Sequence, residues 1–170
     1  MIKGKDIYLS PVEPEEIQLL LGWINDRETV HYNTYYMPVS KIQQKGWYEK
    51  MMKSDDVFLF GIRKKRSGKL IGTCQLCGVN MIDRNAELRI RIGDTKERGK
   101  SYGTQASSLL LDFGFNDLNL NKIYLHVFAD NARAIASYQK LGFRHEGTMK
   151  KHAHVNGKYT DVKIMSIFRK

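Results

Sequence analysis

The clearest hydrophobic pattern lies near the middle of the chain, in the segment NAELRIRIGD at residues 85–94. Apolar and charged side chains alternate along it: Leu88, Ile90 and Ile92 against Glu87, Arg89 and Arg91. Alternation with a period of two predicts a β-strand with one buried face. Residues 104–118 then carry apolar side chains at helical spacing, and residues 121–130 predict a nearly continuous apolar strand. Residues 131–143 predict a helix that ends at Gly142.

Further strands and helices are predicted on both sides of this centre. Residues 6–12 indicate a strand, and residues 13–25 a helix whose first turn carries acidic residues, which the helix dipole favours. Residues 41–53 predict another helix. Turn residues indicate two hairpins, one around Ser67–Gly68 and a C-terminal one around Asn156–Gly157. Together these elements predict an α/β (α+β) fold with a mixed, mostly antiparallel central sheet, one central βαβ crossover and flanking helices.

Length and composition narrow the class of protein. A chain of 170 residues with 42% hydrophobic residues is expected to form a single domain over residues 1–170 with a sizeable core. No apolar run reaches the length of a membrane-spanning helix. The N-terminal segment MIKGKDIYLS lacks the apolar stretch of a signal peptide. We therefore expect a cytoplasmic protein with no membrane partner.

The two cysteines, Cys74 and Cys77, form a C-x-x-C pair. A structural zinc ion needs four ligands, and no second C-x-x-C or nearby histidine pair completes such a set. The surrounding segment also reads as a strand, which would direct the two thiols to opposite faces. The strand interpretation is favoured over metal or redox chemistry, and no metal site is predicted. His152 and His154 are too isolated in sequence to suggest one.

The formal net charge of +10 suggests an anionic partner. The candidates are a phosphorylated cofactor, a nucleotide-linked substrate and nucleic acid. Nucleic acid is disfavoured because the chain has no recognised binding motif and no interleaved aromatic and basic positions. The alternative is that the excess charge only keeps the surface solvated, as basic clusters commonly do.

The segment GDTKERGKSYGT, residues 93–104, connects the central strand to the helix that follows. Free N–H groups and the dipole at a helix start form an anion site, and Lys96, Arg98 and Lys100 would reinforce it. An ordinary connection with turn-forming glycines is the alternative. A P-loop is disfavoured, because five residues rather than four separate Gly93 from Gly99.

Two motifs, which follow each other along the chain in the same order as in the family, resemble those of the Gcn5-related N-acetyltransferase (GNAT) family. The family's phosphate loop reads [QR]-x-x-G-x-[GA], and a later helix reads N-x-x-A-x-x-x-Y-x-K-x-G-F. Matching positions in this chain are Arg98, Tyr102 and Gly103 in the first, and Asn131, Ala134, Tyr138, Lys140, Gly142 and Phe143 in the second. Residues 85–168 carry this resemblance. LGWINDRETV, residues 21–30, is similar to a branch with ribosomal-protein N-terminal, spermidine and amino-sugar acetyltransferases.

The resemblance implies a sheet of about seven strands and transfer of an acetyl group from acetyl-CoA, the cosubstrate, to an amine. The pyrophosphate would lie on the loop's N–H groups, and the pantetheine would pair with the central strand. The implied cofactor-binding residues are Ile90, Arg91, Ile92, Arg98, Gly99, Lys100, Ser101, Tyr102, Gly103, Thr104, Asn131 and Ala134. Ser101 stands where glycine is usual, and its place at a helix start predicts helical dihedral angles. A positive φ there would cost about 1 kcal/mol or more.

The resemblance implies that Tyr138 is the general acid, because a phenol stays protonated at neutral pH and can protonate a leaving thiolate. Packing on an amphipathic helix is the alternative for Tyr138. Glu87 is a candidate catalytic base or water-orienting residue, but Arg89 would lower its pKa, and a salt bridge explains it equally well. Asn131 is expected to contact the cofactor, although a helix N-cap also explains it.

Three classes of amine acceptor remain open. A polyamine is disfavoured by the net charge of +10, and a protein N-terminus is a second class. A small molecule such as a nucleotide-linked amino sugar is preferred, because its pyrophosphate suits the positive charge. His31, Tyr32, Tyr35 and Tyr36 are expected at the acceptor pocket, with aromatic packing as the alternative. A homodimer is a further hypothesis.

Overall fold

An eight-stranded sheet forms the centre of the computed structural model, which describes residues 1–31 and 36–170. Its strands are β1 (Ile2–Lys3), β2 (Ile7–Ser10), β3 (Phe58–Lys64), β4 (Leu70–Asn80), β5 (Asn85–Ile92), β6 (Lys122–Phe128), β7 (Arg144–Val155) and β8 (Lys158–Phe168). They lie in the order β1-β2-β3-β4-β5-β6-β8-β7. The pair β5/β6 is parallel and the other neighbouring pairs are antiparallel. The predicted mixed sheet with one parallel crossover is confirmed.

The helices in the described residues are α1 (Ile17–Ile24), α2 (Arg27–Val30), α3 (Lys41–Met52), α4 (Tyr102–Asp112) and α5 (Ala132–Lys140). The sequence pattern did not indicate α2 or β1. Strand β1 raises the number of strands from the expected seven or so to eight. Both are too short to show a hydrophobic period: α2 has four residues and β1 two. Instead, the Asp26 side chain starts α2 by accepting hydrogen bonds from the N–H groups of Glu28 and Thr29.

The two faces of the sheet pack against different helices. On one face, α4 contributes Ala106 and Leu110 to a core that also contains Ala86 and Leu88 of β5. On the other face, α1 and α3 cover a smaller cluster around Val12, Leu20, Leu59 and Leu70. The alternation predicted for β5 is therefore confirmed on its apolar side, where Leu88 is only 2% exposed.

The parallel pairing of β5 and β6 stops before either strand ends. The paired residues are Asn85 with Lys122, Ala86 with Ile123, and Glu87 with Tyr124. Strand β5 continues to Ile92 and β6 to Phe128, without further pairing between them. The strands therefore separate beyond Glu87, and a cleft opens between their C-terminal halves.

Cys74 and Cys77 are free, buried thiols in β4. Cys74 belongs to the apolar core, whereas the Cys77 Sγ atom lies 3.8 Å from Oε2 of Glu87. Burial raises the pKa of both thiols, that of Cys77 to about 11. Side chains three positions apart in a strand point to opposite faces. The different surroundings of the two cysteines therefore agree with the strand interpretation.

We expect Gly72→Ala to destabilise the sheet. A Cβ atom at Gly72 would lie 2.2 Å from the Arg91 carbonyl oxygen and 3.0 Å from the Ile92 Cα, so β4 and β5 would have to move apart. Overpacking of this kind costs about 1–3 kcal/mol. Urea unfolding of the purified variant measures the loss.

Gly46→Ala in α3 is the matched control, because a Cβ atom there meets nothing within 4 Å. Alanine in the middle of a helix should raise the free energy of unfolding by up to about 1 kcal/mol. Equal stability of the Gly72→Ala variant and the unaltered protein would contradict the close approach of β4 to β5.

Candidate functional site

A cavity of about 1790 Å³ occupies the cleft between β5 and β6. Its walls come from β5, from the loop that leads into α4, from α5, and from α1 and α3 on the other side. Pockets for one drug-sized ligand are typically about 300–1,000 Å³. The cavity therefore has room for a large cofactor and a second substrate together.

The fold brings nearly all of the predicted site residues to this cavity. Those that line it are Glu87, Ile90, Arg91, Ile92, Arg98, Gly99, Ser101, Tyr102, Gly103, Thr104, Asn131, Ala134 and Tyr138. Lys100 is not among the lining residues, and its Nζ atom donates instead to Oε2 of Glu97 at 3.0 Å. Lys64 binds the other oxygen of the same carboxylate at 3.0 Å. Lys100 thus helps to fasten the loop from its outer side.

The loop before α4 turns through two residues with positive φ, Gly99 at 81° and Ser101 at 62°. The prediction that Ser101 has helical dihedral angles is wrong: it is the left-handed N-cap of α4, with ψ of 8°. The chain changes direction between the loop and α4, and a left-handed residue achieves this directly at the helix start. The conformation explains why glycine is usual at this position in the motif.

The start of α4 presents free amide groups to the cavity. The first intrahelical hydrogen bond runs from the Gln105 N–H to the Ser101 carbonyl oxygen, at 3.0 Å. The N–H groups of Tyr102, Gly103 and Thr104 precede it, and these residues line the cavity. Free N–H groups and the positive end of the helix dipole attract anions, phosphates in particular.

Arg98 fastens this loop to the strand and to α2. Its Nε atom donates to the Ile92 carbonyl oxygen at 3.2 Å, and one terminal nitrogen donates to the Glu28 carbonyl oxygen at 3.3 Å. The same nitrogen lies 3.8 Å from the Glu28 carboxylate. The guanidinium therefore holds the loop in place while its charge remains at the cavity wall.

Tyr138 lines the cavity from α5 and also packs against the core. Its ring centroid lies 5.7 Å from that of Phe143, at an interplanar angle of 63°. Burial raises the pKa of Tyr138 to about 12. The phenol is therefore protonated at neutral pH. Tyr138 packs against the core, as one interpretation predicts, and it also lines the cavity, as a role in the site requires.

Glu87 lies at the point where the two strands begin to separate, between Arg89 and His126. Its Oε2 atom accepts from an Arg89 terminal nitrogen at 2.6 Å, and its Oε1 atom lies 2.9 Å from Nδ1 of His126. Burial raises the pKa of Glu87, but hydrogen bonds and charge from Arg89 and His126 lower it more, so the net shift is downward. Glu87 is thus a carboxylate at neutral pH.

His126 is a cavity residue that the sequence pattern did not reveal. It belongs to β6, which reads as a continuous apolar strand, so the pattern does not separate the two faces. The register supplies the missing signal: Glu87 pairs with Tyr124, and His126 follows two residues later on the same face. Its ring also lies 5.8 Å from that of Tyr124.

Of the remaining residues predicted at the site, some line the cavity and others lie outside it. The Asn131 side chain caps α5 by accepting from the Ala134 N–H at 3.2 Å, and it also lines the cavity.

His31 faces a separate pocket of about 240 Å³, with its Nδ1 atom 3.0 Å from Nδ2 of Asn156. The ring of Tyr36 lies under the Arg27 guanidinium at 4.4 Å. Tyr32 and Tyr35 lie outside the described residues.

Comparison with known families gives one match that covers most of the chain. The model of the acetyltransferase (GNAT) domain matches residues 6–144. This match contains both predicted motifs, the phosphate loop and the helix of Tyr138. It supports no P-loop or nucleic-acid interpretation.

The curated proteins and solved structures to which this chain is similar include spermidine acetyltransferases. The spermidine N(1)-acetyltransferase of Escherichia coli (strain K12) is 30% identical over 169 residues, 99% of this chain and 89% of that protein. The enzyme of that name from Vibrio cholerae is 40% identical over 100 residues, 59% of this chain and 57% of that protein. The crystal structure of the V. cholerae spermidine N-acetyltransferase with CoA and spermine superposes with a TM-score of 0.89, at 30% identity over 96% of this chain and 95% of that one.

We expect Ser101→Gly to stabilise the protein by about 1 kcal/mol, because an L-residue in the left-handed region is strained and glycine is not. Ser108→Gly, inside α4, is the matched control and should lose about 0.5–1 kcal/mol. Thermal unfolding measures both variants. Destabilisation by Ser101→Gly would mean that the serine is not strained at this position.

Proposed function

Because this chain belongs to the GNAT acetyltransferase family and is an acetyl-CoA-dependent N-acetyltransferase, we propose that the cleft between β5 and β6 is its active site. The observation that carries this proposal is the opening of the cleft where the parallel pairing ends. Both motifs line the same cavity at that point. The acetyl group moves from the thioester of acetyl-CoA to the primary amine of a small molecule.

The cofactor is held by backbone groups at two places. The pyrophosphate binds the free N–H groups at the start of α4 within residues 98–104, next to Arg98. The pantetheine pairs with the backbone of Ile90–Ile92, which lies beyond the last β5/β6 pair and therefore has no partner on that side of the strand. Asn131 and Ala134 contact the cofactor from the start of α5.

Tyr138 protonates the sulfur that leaves. The amine nitrogen attacks the thioester carbonyl carbon, a C–N bond forms, and the C–S bond breaks to release the CoA thiolate. The phenol of Tyr138 gives its proton to this thiolate. Burial raises the pKa of a thiol as well as that of a phenol, so a thiolate in the same buried position is a stronger base than in water.

His126 removes the proton that the amine loses, and Glu87 holds His126 in place. The lowered pKa of Glu87 makes this carboxylate a weak base, so we assign the proton acceptor to the neighbouring imidazole of His126 and not to Glu87. The contact of Glu87 with Nδ1 of His126 favours the tautomer in which Nδ1 carries the hydrogen and Nε2 is free to accept one. Glu87 is therefore a positioning residue.

The acceptor is a small amine, and a polyamine is the second candidate. The relatives named as spermidine acetyltransferases favour a polyamine. The net charge of +10 favours an acceptor with negative charge, such as a nucleotide-linked amino sugar, over a polycation. A protein N-terminus is the remaining class.

Three further properties stay predictions. They are a single acetyltransferase domain over residues 1–170, a cytoplasmic location and a homodimer. Among the described residues, the helices are all too short or too polar to cross a bilayer.

We expect Tyr138→Phe to lower kcat by about a hundredfold or more, the usual effect of losing a general acid. Acetyl-CoA affinity should be unchanged, because the ring still packs against Phe143. Release of CoA, assayed with spermidine, a nucleotide-linked amino sugar and an N-terminal peptide, measures turnover, and calorimetry measures affinity. Tyr159→Phe, at a phenol that is 70% exposed on β8, is the control. Near-normal turnover by Tyr138→Phe would refute the assignment.

We expect His126→Gln to lower kcat/KM, because an amide side chain cannot accept the proton that the amine loses. Glu87→Gln should cause a smaller loss, since His126 is present but less firmly held. Release of CoA from acetyl-CoA measures turnover in both variants, and calorimetry should show an unchanged affinity for acetyl-CoA. Normal kcat/KM in His126→Gln would exclude the imidazole as proton acceptor.

A further inference from the structure

We propose that the amine acceptor carries an anionic group and that the side chain of Arg91 binds this group in the half of the cavity beneath α1 and α3. The proposal rests on the proposed function, since it names the class of substrate that the same cavity accepts. It concerns the side chain of Arg91, whereas the cofactor is held by the backbone of this strand.

Arg91 lies on the face of β5 that α1 covers. It alternates with Ile90 and Ile92, so its side chain emerges on the opposite face from theirs. Gly93 continues the Arg91 face, and a Cβ atom there would lie 2.0 Å from the Trp23 ring of α1. Arg91 therefore faces the α1 and α3 side of the cavity.

The start of α4, with its free amide groups, lies on the other face of β5. A Cβ atom at Gly103 would lie 3.8 Å from Ile92 Cγ1 and 3.9 Å from Ile90 Cδ1. The side chain of Arg91 points away from these isoleucines. The pyrophosphate of the cofactor thus has its own binding place, and Arg91 is left for a different ligand.

Arg91 is a mostly buried cation without a partner. Its Nε atom is buried and has no hydrogen-bond partner, and no ion pair within residues 1–31 and 36–170 includes it. Burial, and next the charge of Arg98, lower the pKa of Arg91. A buried charge is costly unless it is paired, so an anion in the cavity would relieve this cost.

Neighbouring carboxylates are engaged elsewhere. Glu28 lies 3.8 Å from Arg98, Glu87 binds Arg89 and His126, and Glu97 binds Lys64 and Lys100. Asp130 also lines the cavity, but it follows β6, on the far side of the cleft. None of these carboxylates is paired with Arg91, so an anionic group of the ligand can supply the missing partner.

The surroundings of Arg91 suit a polar small molecule. Trp23 of α1 and Trp47 of α3 supply aromatic surface, and Gln44 of α3 lines the cavity although it is only 6% exposed. A buried amide offers both donors and an acceptor to a bound molecule. A polycation would instead place positive charge beside an unpaired guanidinium, which disfavours its binding.

The experiment compares amines that differ mainly in the charge at the far end of a short chain. Aminovalerate and aminopentyl phosphate are anionic there, pentylamine is neutral and cadaverine is cationic. Calorimetry on the CoA-loaded protein measures binding, and release of CoA from acetyl-CoA measures turnover. We expect either anionic amine to bind about ten- to a hundredfold more tightly than pentylamine, as for a hydrogen-bonded charge. The ratio of carboxylate to phosphate affinity identifies the preferred anion.

Variants of Arg91 separate its side chain from the rest of the site. Arg91→Gln should remove the preference for anionic amines, Arg91→Lys should retain part of it, and Arg91→Glu should reverse it in favour of cadaverine. Acetyl-CoA affinity should stay the same in all three. The control is Arg66→Gln, at an exposed arginine in the turn between β3 and β4, which should leave every value unchanged.

Two results would overturn the inference. One is equal or tighter binding of cadaverine than of the anionic amines by the unaltered protein. The other is an equal loss of affinity for all four amines in Arg91→Gln. Failure of the proposed function would look different: the preference for anionic amines and its dependence on Arg91 would remain in calorimetry, but no amine would release CoA.

Discussion

The cleft that we propose as the active site depends on the early end of one strand pairing. Strands β5 and β6 exchange hydrogen bonds only as far as Glu87 and Tyr124, although both continue for several residues. The separated half of β5 then has backbone groups without a strand partner, and α4 begins beside it. A cofactor that carries both amides and phosphates fits such a place, because backbone pairing and a helix start are available within one cavity.

The charged side chains around this cleft differ in whether the protein itself supplies a partner of opposite charge. At the apex, Glu87 is held as a carboxylate by Arg89 and His126. At the loop, Glu97 is neutralised by two lysines. Under α1, Arg91 has no carboxylate partner among the described residues. The acids at the apex and the loop are thus compensated inside the protein, whereas the charge of Arg91 is not.

Some residues of the cavity could be predicted from the sequence because they belong to local motifs. Tyr138 follows Asn131 within one amphipathic helix, and the loop from Arg98 to Thr104 is continuous in sequence. His126 and the burial of Arg91 could not be predicted in this way. The place of His126 in the cavity depends on the register between β5 and β6, and the surroundings of Arg91 depend on which helix covers its face. The dihedral angles of Ser101 were predicted incorrectly, since its place before a helix does not reveal how sharply the chain must turn.

The sequence by itself determined the strands and helices other than β1 and α2, the parallel crossover and the acetyltransferase motifs. These features are encoded by periodicity and short spacings, which neighbouring residues along the chain fix through local geometry. Only the tertiary structure decided where β5 and β6 separate, which carboxylates are paired and which cation is left alone. Those properties arise from contacts between residues far apart in the chain, such as Glu87 with His126 and Gly93 with Trp23. Burial and charge compensation are set by such contacts, and no local pattern contains them.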